Sequence, residues 1–298
     1  MKLVTFVHQG LTRLGALVVV AGNELIYDLN RLDPRLPGDM LAFLEAGKRA
    51  HDLAQQALVA ASPEKALKLA DVTLKAPVPR PGKIICIGQN YLEHAKEANA
   101  SAPPFPIIFA KYANTVIAHR EPIVIPASVQ KPDYEGELAV VIGKRGRDIP
   151  EAEALDHVAG YMPLNDVSAR DWQNRTSQWV IGKTPDTFCP MGPALVTADE
   201  IPDVQNLSLR TIIGDEVLQE GHTSLMIFTV AHLIWDMSRV MTLEPGDVIA
   251  TGTPSGIGAA RTPPRWLRPG DVVRIEIEGV GTLENPVMAE ARTPEAPK

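Results

Sequence analysis

The stretch KPDYEGELAVVIG, residues 131–143, joins two acids to an unbroken apolar run. Glu135 and Glu137 stand two apart, Leu138 to Ile142 follow without a polar residue, and Gly143 closes the run. A run of this length bounded by glycine predicts a buried strand. Residues i and i+2 of a strand share a face, so the two carboxylates would stand side by side at the entrance to a hydrophobic strand. Like charges that close repel, and buried charge is costly. A divalent cation between them turns the repulsion into attraction, and hard oxygen ligands select Mg²⁺, Mn²⁺ or Ca²⁺ over zinc. The plainer alternative is a pair at a sheet edge, facing water.

Outward from this strand the chain reads as mainly β. Short apolar runs predict strands at 84–88, 107–110, 121–125, 137–142, 205–213, 246–251 and 271–278. The N-terminal runs MKLVTFV, RLGALVVVAG and NELIYDLN are separated by Gln9-Gly10 and Gly22-Asn23, the pattern of a meander with hairpin turns. Helices are expected over 39–47, 50–61 and 225–240. In the last, Met226, Val230, Leu233, Ile234, Met237 and Val240 form an apolar stripe that Thr223 or Ser224 would cap. The proline-rich segment LKAPVPRPGKI marks a boundary, giving a small N-terminal α+β domain over 1–75 and a larger domain over 76–298. The closing TPEAPK reads as a frayed tail.

The 298 residues carry 45% hydrophobic and 22% charged side chains, enough for a full core, and a net charge of -7 that offers no footprint for nucleic acid or an anionic membrane. LGALVVVAG resembles a signal segment but fits the meander better, and no run approaches a membrane span. A cytoplasmic protein is expected. Cys86, in an apolar strand, reads as a buried thiol, and Cys189, in a loop-like stretch, has no assigned role; two cysteines make neither a disulfide framework nor a zinc site.

Four polar motifs carry candidate chemistry. In GQNYLEHAKEANA, His94 and Glu97 lie three apart on one helix face, the make-up of a general-base dyad or of an ordinary solvated face. Glu135 and Glu137 are the second. In LNDVSARDWQNR, Asp166 ends a strand and is either a third metal carboxylate or a helix cap, Ser168 and Asp171 fit a capping box, and Arg170 and Gln173 share a face. In IGKTPDTFCPMGP and LEPGDVIATGTPSGIG, Lys183 can meet an anionic group and the Gly/Thr/Ser loop can approach a carboxylate, or both are simply tight turns. No nucleotide-binding fingerprint and no nucleophile elbow is present.

With these motifs in this order, the sequence resembles the fumarylacetoacetate hydrolase family, in its short two-domain branch. The matching pieces include GQNYLEHAKE, IIFAKYANTVI, DYEGELAVVIG, GYMPLNDVSARDWQ, GKTPDTFCPMGPALVT and TLEPGDVIATGTPSGIG, across roughly 76–287. The resemblance implies a mixed β-sandwich roll and a homodimer. It implies metal ligands at Glu135, Glu137 and Asp166, holding Mg²⁺ or Mn²⁺, with Ca²⁺ possible. It puts the water-activating dyad at His94 and Glu97, a catalytic lysine at Lys183, and substrate contacts at Lys111, Arg170, Gln173 and Thr253. Pro185 stands where an aromatic is expected. The implied activity is hydrolysis of a C–C bond in an acylpyruvate-type 2,4-dioxo acid, with an enolate stabilised by the cation and segment 88–104 closing as a lid. The alternative is an oxaloacetate keto–enol tautomerase, isomerase or decarboxylase on the same apparatus. A non-catalytic metal- or carboxylate-binding protein is a third reading, opposed by the intact residue set.

Overall fold

The computed structural model describes residues 1–20, 22–97 and 100–291. At its centre lies the strand Gly136–Ile142, all seven residues buried. It runs antiparallel to Val158–Asn165 on one side and Val248–Ala250 on the other. Its faces alternate between two cores. Leu138, Val140 and Ile142 enter one apolar cluster, and Ala139 and Val141 enter another. Two buried faces explain a continuously apolar run in an antiparallel setting, where one wet face would have imposed alternation.

This strand belongs to an eleven-stranded sheet. Beyond Val248–Ala250 come Ile84–Gly88 and the edge strand Ile107–Lys111. Beyond Val158–Asn165 comes Leu195–Thr197, which pairs with Lys2–His8 and so carries the N-terminal meander into the same sheet. A five-stranded sheet covers one face: Leu209, Ile275, Ile277 and Leu283 meet Leu138, Val140 and Ile142. The helix Met40–Val59 covers the other with Met40, Phe43, Leu44, Ala50 and Ala54. The result is the expected mainly β sandwich with a minority of helix.

Several local expectations are met and others corrected. His8 pairs with Leu11, leaving Gln9-Gly10 as a two-residue turn with φ of 51° and 76°, the positive pair that a right-twisted hairpin requires. Asn23 is already in the ladder, opposite Val20. The two helices expected over 39–47 and 50–61 form Met40–Val59, kinked where Gly47 adopts φ 58°, ψ -143°. The helix expected over 225–240 is shorter, Val230–Ser238, capped by Thr229. Asn90 is the cause. It accepts from Phe228 N at 2.8 Å and donates to Phe228 O at 3.0 Å, and its carbonyl accepts from Ile227 N at 2.8 Å. These bonds pin the backbone where the helix would have begun. Cys189 is not in a loop but in a buried strand pairing parallel with Val116–Ile117. Burial pushes its thiol up to about 12 and raises that of Cys86 as well. The TPEAPK tail and residues 98–99 of the expected lid lie outside the described residues.

Leu138 is fully buried in the central strand. Leu138→Ala should lower the unfolding free energy by about 2–5 kcal/mol, read as a lower urea midpoint with an unchanged slope; an unchanged midpoint would contradict this core assignment.

Candidate active site

The register of the central ladder assembles the acids. Glu137 pairs with Leu164. Two residues on, past the Gly136–Asn165 pair, Glu135 faces Asp166, whose N–H donates to the Glu135 carbonyl at 2.9 Å. Two acids therefore come from one strand at i and i+2, and the third comes from directly across the ladder. All three are buried, and one carboxylate oxygen of each lies within 4.8 Å of the others. The water-facing edge pair is thereby excluded. Asp166 is not a helix cap either. Ser168–Ala169 forms a short strand with Pro132–Asp133, and the helix starts only at Arg170. Asp171, expected in a capping box, instead accepts from Gln130 N and Lys131 N.

Buried cations offset most of this charge. Lys183 Nζ lies 2.7 Å from Glu135 Oε2 and 2.8 Å from Asp166 Oδ2. Arg170 Nη2 donates to Glu135 Oε1 at 2.5 Å. Lys111 Nζ donates to Asp166 Oδ1 at 2.6 Å and to the Val167 carbonyl at 3.0 Å. Burial by itself would raise Glu135, but Arg170 and Lys183 outweigh it and hold the carboxyl well below the usual range. Among the described residues, Glu137 accepts from Gly252 N alone, at 2.8 Å. Burial, with Asp166 and Glu135 beside it, pushes Glu137 well above the usual range. The cluster is thus short of positive charge on the Glu137 side. An all-oxygen carboxylate set with that deficit fits a hard divalent cation held by Glu135, Glu137 and Asp166.

Each nitrogen of the Arg170 guanidinium, which also borders the cavity described below, has a partner within the protein. Nε donates to Asp133 Oδ2 and Nη1 to Gln173 Oε1, each at 2.9 Å. Asp133 is a residue the sequence reading passed over, although it continues the i, i+2 series of Glu135 and Glu137. Gln219 is another: it accepts from Gly136 N and donates to Thr253 Oγ1 and the Pro254 carbonyl. Nothing local marks it, because it comes from the second sheet. Thr253 in turn donates to the Gly136 carbonyl at 2.9 Å, so its hydroxyl is already engaged.

His94 and Glu97 sit on the short helix Leu92–Glu97. His94 is 8% exposed, which rules out a solvated face, and its Nδ1 lies 3.4 Å from Glu97 Oε2. Glu97 Oε1 accepts from Gly256 N at 2.8 Å, fastening this helix to the TGTPSGIG loop. Lys183, expected on a loop, is the buried last residue of the short helix Val180–Lys183. The cavity beside them is about 280 Å³, bordered by His94, Glu135, Glu137, Gln173, Lys183 and Thr253, with Phe109, Trp179 and Ile257 as apolar wall. Lys111 does not line it. Its ammonium is held instead by Asp166 and the Val167 carbonyl.

Residues 83–288 match the model of the fumarylacetoacetate (FAA) hydrolase C-terminal family. The chain belongs to the fumarylacetoacetate hydrolase family and is an enzyme of its metal-dependent hydrolase, isomerase and decarboxylase kind. It is 48% identical over 278 residues to the Xenopus laevis protein named oxaloacetate tautomerase fahd2, mitochondrial, covering 93% of this chain and 86% of that one. Among solved structures, a fumarylacetoacetate hydrolase from Exiguobacterium antarcticum superposes with a TM-score of 0.84 at 38% identity, covering 97% of this chain and all of the other. A maleylpyruvate hydrolase from Sphingobium sp. SYK-6, solved with manganese(II) and pyruvate, gives 0.80 at 32% identity, covering 98% of this chain and all of the other. The expected cytoplasmic location is corrected by the first of these, which is named a mitochondrial protein. Composition holds no compartment address; the structure shows only that no helix among the described residues is long and apolar enough to cross a membrane.

Mn²⁺ at about 100 times its dissociation constant should stabilise the protein by about 2.7 kcal/mol, seen as a raised thermal midpoint. Glu137→Gln should remove most of that increment, and an undiminished increment in the variant would place the cation elsewhere.

Proposed function

We propose that this chain is an oxaloacetate keto–enol tautomerase. The observation that carries the reading is its 48% identity, across 93% of its length, to a protein named for that activity. A polar-floored cavity of about 280 Å³ suits a small dicarboxylic acid.

In this reading Glu135, Glu137 and Asp166 hold Mg²⁺ or Mn²⁺, which would supply Lewis-acid stabilisation of negative charge on the substrate's 2-oxygen. The chain's own groups do the rest. Lys183 has three N–H bonds and uses two on Glu135 and Asp166, leaving one for a substrate oxygen. The Gln173 carbonyl is held by Arg170, so its amide N–H₂ is the end available to a substrate carboxylate or carbonyl. Glu97 orients the His94 ring through Nδ1, leaving Nε2 as the atom that carries a proton. Keto–enol exchange moves one proton at C3 and one at the 2-oxygen and breaks no bond between heavy atoms. His94 Nε2 serves C3, while Lys183 steadies charge on the oxygen, a contribution of ~3 kcal/mol for a well-placed donor. The same groups with a water beside His94 would cleave an acylpyruvate. That second reading is supported by the 32% identity to a maleylpyruvate hydrolase.

Proton NMR separates the two. With Mg²⁺ or Mn²⁺ present, enol-to-keto exchange of oxaloacetate should accelerate while acetylpyruvate and fumarylpyruvate stay intact. Release of pyruvate and a free acid from either would establish the hydrolase instead. His94→Ala should slow exchange by about 10²- to 10⁴-fold with Mn²⁺ binding retained; joint loss of exchange and metal would make the histidine structural.

A further inference from the structure

We propose that Asp133 is a positioning residue that locks two walls of the cavity to each other and, through Arg170, aims Gln173 at an oxygen of the substrate. The inference rests on the reading of Gln173 as a substrate donor.

Asp133 is fully buried and does not border the cavity, so it acts only through others. Four donors converge on its carboxylate. Oδ1 accepts from Tyr134 N at 2.9 Å and Gly258 N at 2.7 Å. Oδ2 accepts from Ala259 N at 3.1 Å and Arg170 Nε at 2.9 Å. The 257–260 segment forms one wall, through Ile257, Ala259 and Ala260, and Gln173 belongs to another. A single carboxylate therefore fixes the spacing between them. The fit is close: a Cβ on Gly258 would lie 2.5 Å from Asp133 Oδ1 and 2.0 Å from the Arg265 carbonyl. Each of the three Arg170 nitrogens gives one of the guanidinium's five N–H groups to the protein, at Asp133, Gln173 and Glu135, so the side chain ties Gln173 to Asp133. What it transmits is orientation. With Gln173 Oε1 held, the site favours a hydrogen-bond acceptor, a carboxylate or carbonyl oxygen, at the position that the amide reaches.

Asp133→Asn tests this with almost no change in volume. In either amide orientation its N–H₂ faces two backbone or guanidinium donors that lose their acceptor. We measure kcat and KM for oxaloacetate exchange in D133N, Q173A and the double variant, with Mn²⁺ affinity alongside. D133N is expected to lower kcat/KM by about 10- to 100-fold, mainly through KM, as loss of a supporting partner commonly does. Mn²⁺ affinity should hold, because Lys183 still pins Glu135. In the Q173A background the further loss from D133N should shrink to within about 3-fold, because the two residues act in series. Losses that multiply, or a D133N enzyme indistinguishable from the parent, would overturn the proposal. Should D133N fail to fold, R170K replaces it in the same cycle: one ammonium cannot hold all three partners, so non-additivity with Q173A is again expected and multiplicative losses again refute it. If the parent protein does not exchange oxaloacetate, the functional reading fails by itself, and the cycle is run on acetylpyruvate cleavage, whose distal carbonyl calls for the same donor.

Discussion

The structure depends on one electrostatic arrangement: three buried carboxylates with an oxygen of each within 4.8 Å of the others, two of them, Glu135 and Asp166, bridged by the ammonium of Lys183. Taking ions from water costs several kcal/mol each, and only close, well-aligned opposite charges return it. Lys183 and Arg170 meet that condition on Glu135, and Lys183 and Lys111 meet it on Asp166. Among the described residues, Glu137 is left with a single donor, the Gly252 backbone. The imbalance is local and directional. It leaves the deficit of positive charge at Glu137, a carboxylate that borders the cavity, which is where a hard cation adds most.

Around that cluster, buried polar side chains do the work that regular secondary structure cannot. The 251–260 segment has no helix or strand apart from a single 3₁₀ turn, so its backbone groups need other partners. Gln219 takes the Pro254 carbonyl, Glu97 takes Gly256 N, and Asp133 takes Gly258 N and Ala259 N. Asn90 reaches the Thr251 carbonyl at 2.8 Å. Gly252, at φ 102°, lets the chain pass so close that a Cβ would sit 2.7 Å from Asn90 Cβ. Each of these side chains comes from a different part of the fold, and each is satisfied within it. A fully satisfied buried network is rigid, which is what a site that must hold a proton-transfer geometry requires.

Much of this was legible in the sequence. The central strand followed from an apolar run closed by glycine, and the acid pair on one face followed from the two-residue period of a strand; both are local properties of the chain. The kink at Gly47 and the Gln9-Gly10 hairpin were local too. What required the tertiary structure was everything set by register or by distant partners. Asp166 became the third acid because the antiparallel ladder places it opposite Glu135. Lys111 met Asp166, a partner fifty-five residues away that its local sequence does not show. The helix expected from residue 225 began at 230 because Asn90, more than a hundred residues earlier, takes the backbone groups of the intervening turn. Asp133 continued the i, i+2 acid series but nothing local named its four donors, and Gln219 carried no sign of its role. Periodicity reports which face a side chain occupies; which charge or hydrogen bond meets it there is decided only when chain segments far apart in sequence are brought together.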